Sequence, residues 1–165
     1  ITAHLLEKGC TLPGFMGDIG YAQSNRERYE GFCQALMDAG KTPNPSLCLT
    51  TPLGIDSYRE EIDSFLSSLS RMPDAFVCAS DYVACILMQL LEKRGLRVPE
   101  DVAVSGFDNN IEDLLAENLT TVQVFNEELG SRLALQILYR IKYPHTPHEV
   151  TYLESKVLYR ASTGD

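Results

Sequence analysis

The sequence lacks any apolar run that approaches the roughly 20 residues of a membrane span. Hydrophobic residues make up 44% of the 165 residues and charged residues 22%. This composition is typical of a soluble globular domain and argues against an integral membrane protein. The opening ITAHLLEKG is interpreted as the middle of an amphipathic helix rather than as a signal peptide. We therefore expect a fragment of a longer protein or an unusual N-terminus.

Clusters of Lys and Arg are absent as well, and the net charge is −9. Because binding to phosphates requires such clusters, the composition argues against nucleic-acid binding by these residues. The five cysteines include no C-x-x-C pair, which argues against a metal site. Cys33, Cys48 and Cys78 lie within apolar patterns, so we interpret them as small core residues in a reducing cytoplasm.

Motifs of catalysis are missing. The chain has no G-x-S-x-G, G-x-x-x-x-G-K-[ST], H-E-x-x-H or G-x-G-x-x-G segment. Two of its three histidines, His145 and His148, flank Pro147 in a predicted loop. The pair Asp81 and Asp108 could act as acid and base, but no nucleophile or metal cluster accompanies it. We therefore predict a protein that is not an enzyme and needs no cofactor.

Buried strands and amphipathic helices alternate along the first two thirds of the chain. The predicted strands are Pro13–Met16, Ser46–Thr50, Ala75–Ala79 and Val102–Val104. Strands separated by helices predict an α/β fold with an open, mostly parallel sheet and helices on both faces. After Asp108 the pattern changes to a short helical piece (111–116), an extended segment (120–125), a long helix (127–141) and an alternating tail (149–159).

Polar residues follow each predicted strand. In an open parallel sheet, ligands bind beyond the carboxyl ends of the strands, so these residues are the candidates for a site. They are Asp18, Tyr21, Gln23, Ser24 and Arg28 after the first strand, Thr50, Thr51 and Pro52 after the second, Ser80 and Asp81 after the third, and Asp108, Asn109 and Asn110 after the fourth.

Arg28 is informative because a cation in the first turn of a helix is electrostatically unfavourable. With Ser24 as the predicted N-cap, Arg28 would face the sheet edge and could bind hydroxyls or a carboxylate. The alternative is a surface ion pair with Glu27 or Asp18. From position alone, an ordinary turn former is the stronger interpretation of Asp108, and a helix N-cap is that of Asp81.

Five segments occur in an order that is highly specific when taken together. They are AHLLEKG (3–9), SNRERYEGF (24–32), PDAFVCASDYVA (73–84), GLRVPEDVAVSGFDN (95–109) and LTTVQVFNEELG (119–130), and the ending VLYRAST (157–163) fits the same pattern. Through these segments the chain resembles the C-terminal half of a LacI/GalR-family transcription regulator. That half is the effector-binding and dimerisation core, with the fold of the periplasmic sugar-binding proteins.

The resemblance implies roles for particular residues. Arg28 matches the effector-contacting arginine of the S-x-x-x-R-x-x-G-F pattern, Asp108 matches the acid that closes G-[FY]-D, and Ser24 matches a further contact position. Ser80 and Asp81 match a pair that is commonly Asn-Asp, so we expect both to bind ligand. A homodimer interface is expected on the helix 81–94 and the segment 110–118, with Tyr82, Cys85, Ile86 and Leu115 as candidate contacts.

The resemblance also divides the chain into three parts. Residues 1–121 would form the C-terminal lobe, 122–147 the crossover strand and a helix of the other lobe, and 148–165 the return strand and tail. The implied protein is a cytoplasmic regulator that binds a small, hydroxyl-rich effector and reaches operator DNA only through a headpiece outside this chain. The alternative is a solute-binding component of a sugar transporter.

Two departures from the pattern concern the ligand. Pro52 stands where the family often has an aromatic platform, so flat stacking is not expected at that position. Ala22 stands where purine-responsive members have an arginine, which argues against a purine effector.

Overall fold

A parallel four-stranded sheet lies at the centre of the protein, in the order β2-β1-β3-β4. The computed structural model describes residues 1–54, 56–110 and 116–165. The helices and strands are α1 (Thr2–Glu7), β1 (Pro13–Met16), α2 (Gln23–Asp38), β2 (Cys48–Leu49), α3 (Tyr58–Ser68), β3 (Ala75–Cys78), α4 (Asp81–Lys93), β4 (Ala103–Ser105), β5 (Thr121–Gln123), α5 (Asn126–Lys142) and β6 (Lys156–Leu158). The predicted α/β fold class is confirmed.

Helices cover both faces of the sheet. Successive strand residues point to opposite sides, and because the strand residues on both sides are apolar, each face needs helices to bury it. Phe15 packs with Phe32 and Leu36 of α2, whereas its neighbour Met16 packs in the cluster formed with α3 and α4. Phe15 and Met16 are fully buried, and burial of a side chain of this size contributes about 1.5–3 kcal/mol. The core therefore sits on both sides of β1 and β3.

The second strand is shorter than predicted. We expected a strand over 46–50, but Pro45–Leu47 form a 3₁₀ turn and only Cys48–Leu49 pair with β1. The Asn44 side chain accepts a hydrogen bond from the amide of Ser46 at 3.1 Å and stabilises this turn. The turn that this side chain caps therefore takes the place of the first half of the predicted strand.

The expected N-cap of α2 is also corrected. Ala22 caps the helix without a side-chain hydrogen bond, and Ser24 lies inside the first turn. All five cysteines lie in the described part of the chain and none forms a disulfide: Cys78 and Cys85 are buried, and Cys33 and Cys48 are half-buried beside the α2 face of the core.

The segments after Asp108 extend the sheet. Single parallel bridges join Ser105 to Thr120 and Asp108 to Gln123, and β6 pairs antiparallel with β5. Of the predicted alternating tail, only Lys156–Leu158 forms a strand. Most of the predicted helical piece at 111–116 lies outside the described residues, and 116–118 form a 3₁₀ turn.

The helix α5 differs from the others because it buries none of its residues. Its leucines and isoleucines stand open, with Leu133 60% and Ile137 51% exposed. A groove of about 770 Å³ runs between this helix and the segment 149–153. The assignment of residues 122–147 to another lobe stays a prediction. In the part of the chain that is described, no helix combines the length and the apolar character needed to cross a membrane.

Candidate functional site: a polar pocket at the carboxyl edge of the sheet

A pocket of about 260 Å³ opens where the strands end. Its lining residues are Gly17, Asp18, Tyr21, Ala22, Ser24, Asn25, Arg28, Tyr58, Ala79, Ser80, Val83 and Asp108. The volume lies just below the range typical of small-molecule sites, so this pocket suits about one ring of a ligand. The structure thus brings together Ser24, Arg28, Ser80 and Asp108 as predicted, whereas Thr50, Thr51 and Pro52 do not line the pocket.

Arg28 reaches from α2 across the end of β3. Its guanidinium donates to the backbone oxygen of Ala79, and its Nη2 lies 3.3 Å from Oδ1 of Asp108. The guanidinium carbon stands 3.6 Å from the centre of the Phe107 ring, a cation–π contact. Burial lowers the pKa of Arg28, and the Asp108 carboxylate opposes that shift. The ion pair with Asp108 replaces the surface pairs with Glu27 or Asp18 that we considered.

Asp108 occupies an unusual backbone conformation, with φ at 112°. Asn109 follows with φ at 49°. Positive φ is costly for residues with a Cβ, and such conformations persist where surrounding contacts enforce them, often at ligand sites. Burial raises the pKa of Asp108, while Arg28 lowers it and nearby Asp81 adds to the rise. The interaction with Arg28 therefore offsets part of the cost of burying the Asp108 carboxylate, whose oxygens are hydrogen-bond acceptors at the pocket.

Asp81 is placed differently from our expectation. It is 1% exposed, it does not line the pocket, and its carboxylate accepts hydrogen bonds from the Thr121 hydroxyl at 2.6 Å and the Asn109 amide at 2.7 Å. Burial raises its pKa, and these hydrogen bonds oppose the rise. The alternative role of Asp81 as helix N-cap is wrong, because Ser80 caps α4 and accepts from the Val83 amide at 3.4 Å, whereas a ligand contact of Asp81 stays a prediction.

An aromatic wall was missed by sequence reasoning. Tyr58 lines the pocket from the first turn of α3, and it shares the helical spacing of the buried residues Ile62 and Leu66. Its ring meets the ring of Tyr82 edge to face, with centroids 5.6 Å apart. Burial raises the pKa of Tyr58, followed by the effects of Asp18 and Tyr21. The signal that could have revealed it is a tyrosine in the first turn of the helix that follows β2, since its ring can pack while its hydroxyl stays polar.

The candidate dimer contacts separate into two kinds. Tyr82 is 54% exposed, but Cys85 and Ile86 are buried in the core beside β3 and β4. Cys85 and Ile86 therefore offer little accessible surface to a partner in this structure, and the dimer contacts stay a prediction. Leu115 lies outside the described residues. Across residues 1–54, 56–110 and 116–165, no three His, Cys, Asp or Glu side chains are grouped so that they could hold a metal ion.

The fold is an open parallel-sheet domain with a polar pocket at the carboxyl edge of its strands, the place where ligands bind in folds of this kind. The family model described as "Periplasmic binding protein-like domain" matches residues 2–163. The chain belongs to this family, in the form found in LacI-family regulators, which confirms the resemblance.

Three known proteins illustrate the relationship. The HTH-type transcriptional repressor PurR of Aliivibrio salmonicida is 29% identical over 163 residues, which are 98% of this chain and 48% of that protein. A LacI-family regulator structure from Sanguibacter keddieii matches with a TM-score of 0.84 and 28% identity, over 99% of this chain and 62% of that one. The structure of a CelR–cellobiose complex matches with a TM-score of 0.85 and 28% identity, over 98% and 49%. The chain spans about half the length of the curated relatives it matches.

Proposed function

We propose that the chain is the effector-binding and dimerisation part of a bacterial, cytoplasmic LacI-family transcriptional regulator whose ligand is a small, neutral, hydroxyl-rich molecule such as a sugar. The observation that carries this proposal is the Arg28–Asp108 pair, which lines the pocket with Ser24 and Ser80. A guanidinium donor beside a carboxylate acceptor can bind adjacent hydroxyls of a sugar ring in both directions.

The charges of the pocket favour a neutral ligand. Asp18 and Asp108 each contribute a carboxylate to the lining, while Arg28 contributes the one guanidinium among the lining residues. Arg28 is already committed to Asp108 and to the Ala79 oxygen. A phosphate or carboxylate group on the ligand would therefore meet net negative charge. The ring of Tyr58 offers an apolar surface for the C–H face of a sugar.

Regulation would follow from differential affinity. A ligand that prefers one arrangement of the complete protein over another shifts the population toward it, and DNA binding through a headpiece outside this chain would respond. The role needs no catalysis by this chain. The relatives named as transcriptional regulators support this reading, as does the net charge of −9, which is unsuited to direct DNA contact by these residues.

The test is titration calorimetry on the full-length protein with cellobiose, D-glucose and other neutral sugars, and with glucose 6-phosphate and a purine base as competing classes. We expect a neutral sugar to bind and Arg28→Ala to weaken that binding by roughly 100-fold, the loss of a charge-assisted contact. Arg26→Ala, an exposed arginine on the same helix outside the pocket, is the matched control. Binding of the phosphate ester alone, or an unaffected Arg28→Ala protein, would contradict the proposal.

A solute-binding component of a sugar transporter is the second candidate, because the matching family model describes a periplasmic binding protein-like domain. The coding sequence that precedes this chain in its own gene distinguishes the two candidates. A helix-turn-helix supports the regulator, and an export signal supports the transporter component.

A further inference from the structure

The loop that carries Asp108 is held in a conformation that its own sequence does not favour. Two consecutive residues with side chains, Asp108 and Asn109, both have positive φ. Either conformation in isolation would relax to a commoner region of the backbone map. Contacts from elsewhere in the protein must therefore fix this loop.

Asp81 supplies those contacts from beneath the loop. One of its carboxylate oxygens accepts the Asn109 amide at 2.7 Å, and its own amide donates to the backbone oxygen of Phe107 at 2.8 Å. Gly106 allows this approach, because a Cβ at that position would lie 2.2 Å from Oδ1 of Asp81. The residues 106–109 thus wrap around one buried carboxylate.

The same carboxylate also holds β5. Its second oxygen accepts the hydroxyl of Thr121 at 2.6 Å. The Asp108 amide donates to the oxygen of Val122 at 3.0 Å, so the loop and β5 are joined by backbone as well. Because β5 leads within three residues into α5, a displacement of Asp108 must be accommodated by this connection.

We propose that Asp81 is a positioning residue: it fixes residues 106–109 against β5, holds Asp108 at Arg28, and so couples ligand contact to the strand that leads into α5. The ligand part of this inference rests on the proposed function. The fixing of the loop does not, because it can be measured without any ligand.

The first experiment is hydrogen exchange by mass spectrometry on the full-length protein without ligand. Asp81→Ala should speed exchange in the peptides that contain 106–109 and 121–124 by about tenfold or more, while the β1 peptide changes little. The control is Asp74→Ala, which removes a carboxylate with several hydrogen bonds from the opposite end of the sheet. Its effect should spare the loop. Uniform loss of protection in Asp81→Ala, or none at 106–109, would overturn the proposal.

A conservative variant separates positioning from packing. In Asp81→Asn the amide oxygen can still accept from Asn109 and the amide nitrogen can donate to the Thr121 hydroxyl, so both connections survive. We expect protection within about threefold of wild type. If Asp81→Ala does not fold, Thr121→Val provides the comparison. It removes only the hydrogen bond between the Thr121 hydroxyl and Asp81 and should speed exchange in 121–124. Exchange at 121–124 unchanged by Thr121→Val would overturn the link.

The second experiment uses cellobiose and D-glucose as calorimetric probes in a double-mutant cycle. Asp81→Ala should weaken binding of a sugar that binds wild type by about tenfold, yet add almost nothing in an Asp108→Ala background, because Asp81 acts through Asp108. Additive losses would overturn the positioning role. If neither sugar binds wild type, the sugar proposal is weakened, while the exchange measurements still decide the role of Asp81.

Discussion

At the scale of single residues, burial and ion pairing have opposite effects on the charged groups of the pocket. Burial disfavours the charge on both Arg28 and Asp108, and each partner offsets part of that cost for the other. Nη2 of Arg28 lies 3.3 Å from Oδ1 of Asp108, which is long for a hydrogen bond between charged groups. Ligand hydroxyls can therefore take over part of this contact at little cost. A neutral ligand can therefore bind here without separating an optimised ion pair.

Tyr58 should contribute its ring more than its hydroxyl to ligand binding. We expect Tyr58→Ala to weaken binding of a neutral sugar by roughly tenfold, from the loss of about 1–2 kcal/mol of ring contact. Tyr58→Phe should stay within about threefold of wild type, because the ring remains. Calorimetry with the full-length protein measures both. Equal losses in the two variants would show that the hydroxyl, and not the ring, makes the contact.

Asp74 provides a pH-dependent contribution to stability at the start of β1. Its burial favours the neutral form, but hydrogen bonds from Cys10, Thr11 and Leu12 outweigh this and lower its pKa. A carboxyl with a lowered folded-state pKa stabilises the fold above its unfolded pKa of about 3.9 and loses that contribution as pH falls through the folded value.

We therefore expect Asp74→Asn to lower the free energy of unfolding near pH 7. The loss should be about 1 kcal/mol, since the partly exposed carboxylate is screened by water and the amide keeps one acceptor. The difference from wild type should shrink below about pH 4, where the wild-type carboxyl also becomes neutral. Urea unfolding across pH measures this. Asp38→Asn, at an exposed acid on α2, should show no comparable trend.

At the scale of elements, the residues at the carboxyl edge of the sheet were predictable, but the hydrogen bonds that hold them in place were not. Apolar strand patterns located β1, β3 and β4, so Ser24, Arg28, Ser80 and Asp108 could be expected at one edge. The inward turn of Asp81 depends on Thr121, 40 residues further along the chain, a contact that no local pattern reports. Tyr58 follows the helical spacing of core residues, so its spacing alone does not reveal that it also lines the pocket.

The C-terminal turn joins β4 to β5 through Ser162. Its hydroxyl donates to the oxygen of Val104 at 2.6 Å and accepts from the Thr120 amide at 2.8 Å, and the residue is 2% exposed. Ser162→Ala would leave both buried backbone groups without this partner, which should lower the free energy of unfolding by about 2 kcal/mol. Chemical denaturation measures the change. Ser64→Ala, at an exposed position of α3, should change it by less than about 0.5 kcal/mol.

At the scale of the whole molecule, α5 differs from the other helices in its exposed apolar side chains. None of its residues is buried, although Leu129, Leu133 and Ile137 follow helical spacing along one side. A helix with such a stripe normally packs against another element. Since the chain spans about half the length of its relatives, we infer that the rest of the full-length protein covers this side of α5.

Leu133→Asp tests this inference by comparing the full-length protein with the isolated chain of residues 1–165. In the full-length protein it should lower the free energy of unfolding by about 2–3 kcal/mol, because a charge would replace a side chain in a packed interface. In the isolated chain, where Leu133 is 60% exposed, the change should be small. Ser131→Asp adds the same charge on the opposite side of α5 and is the matched control. An unchanged melting temperature of the full-length Leu133→Asp protein would show that this side of α5 is open to solvent there too.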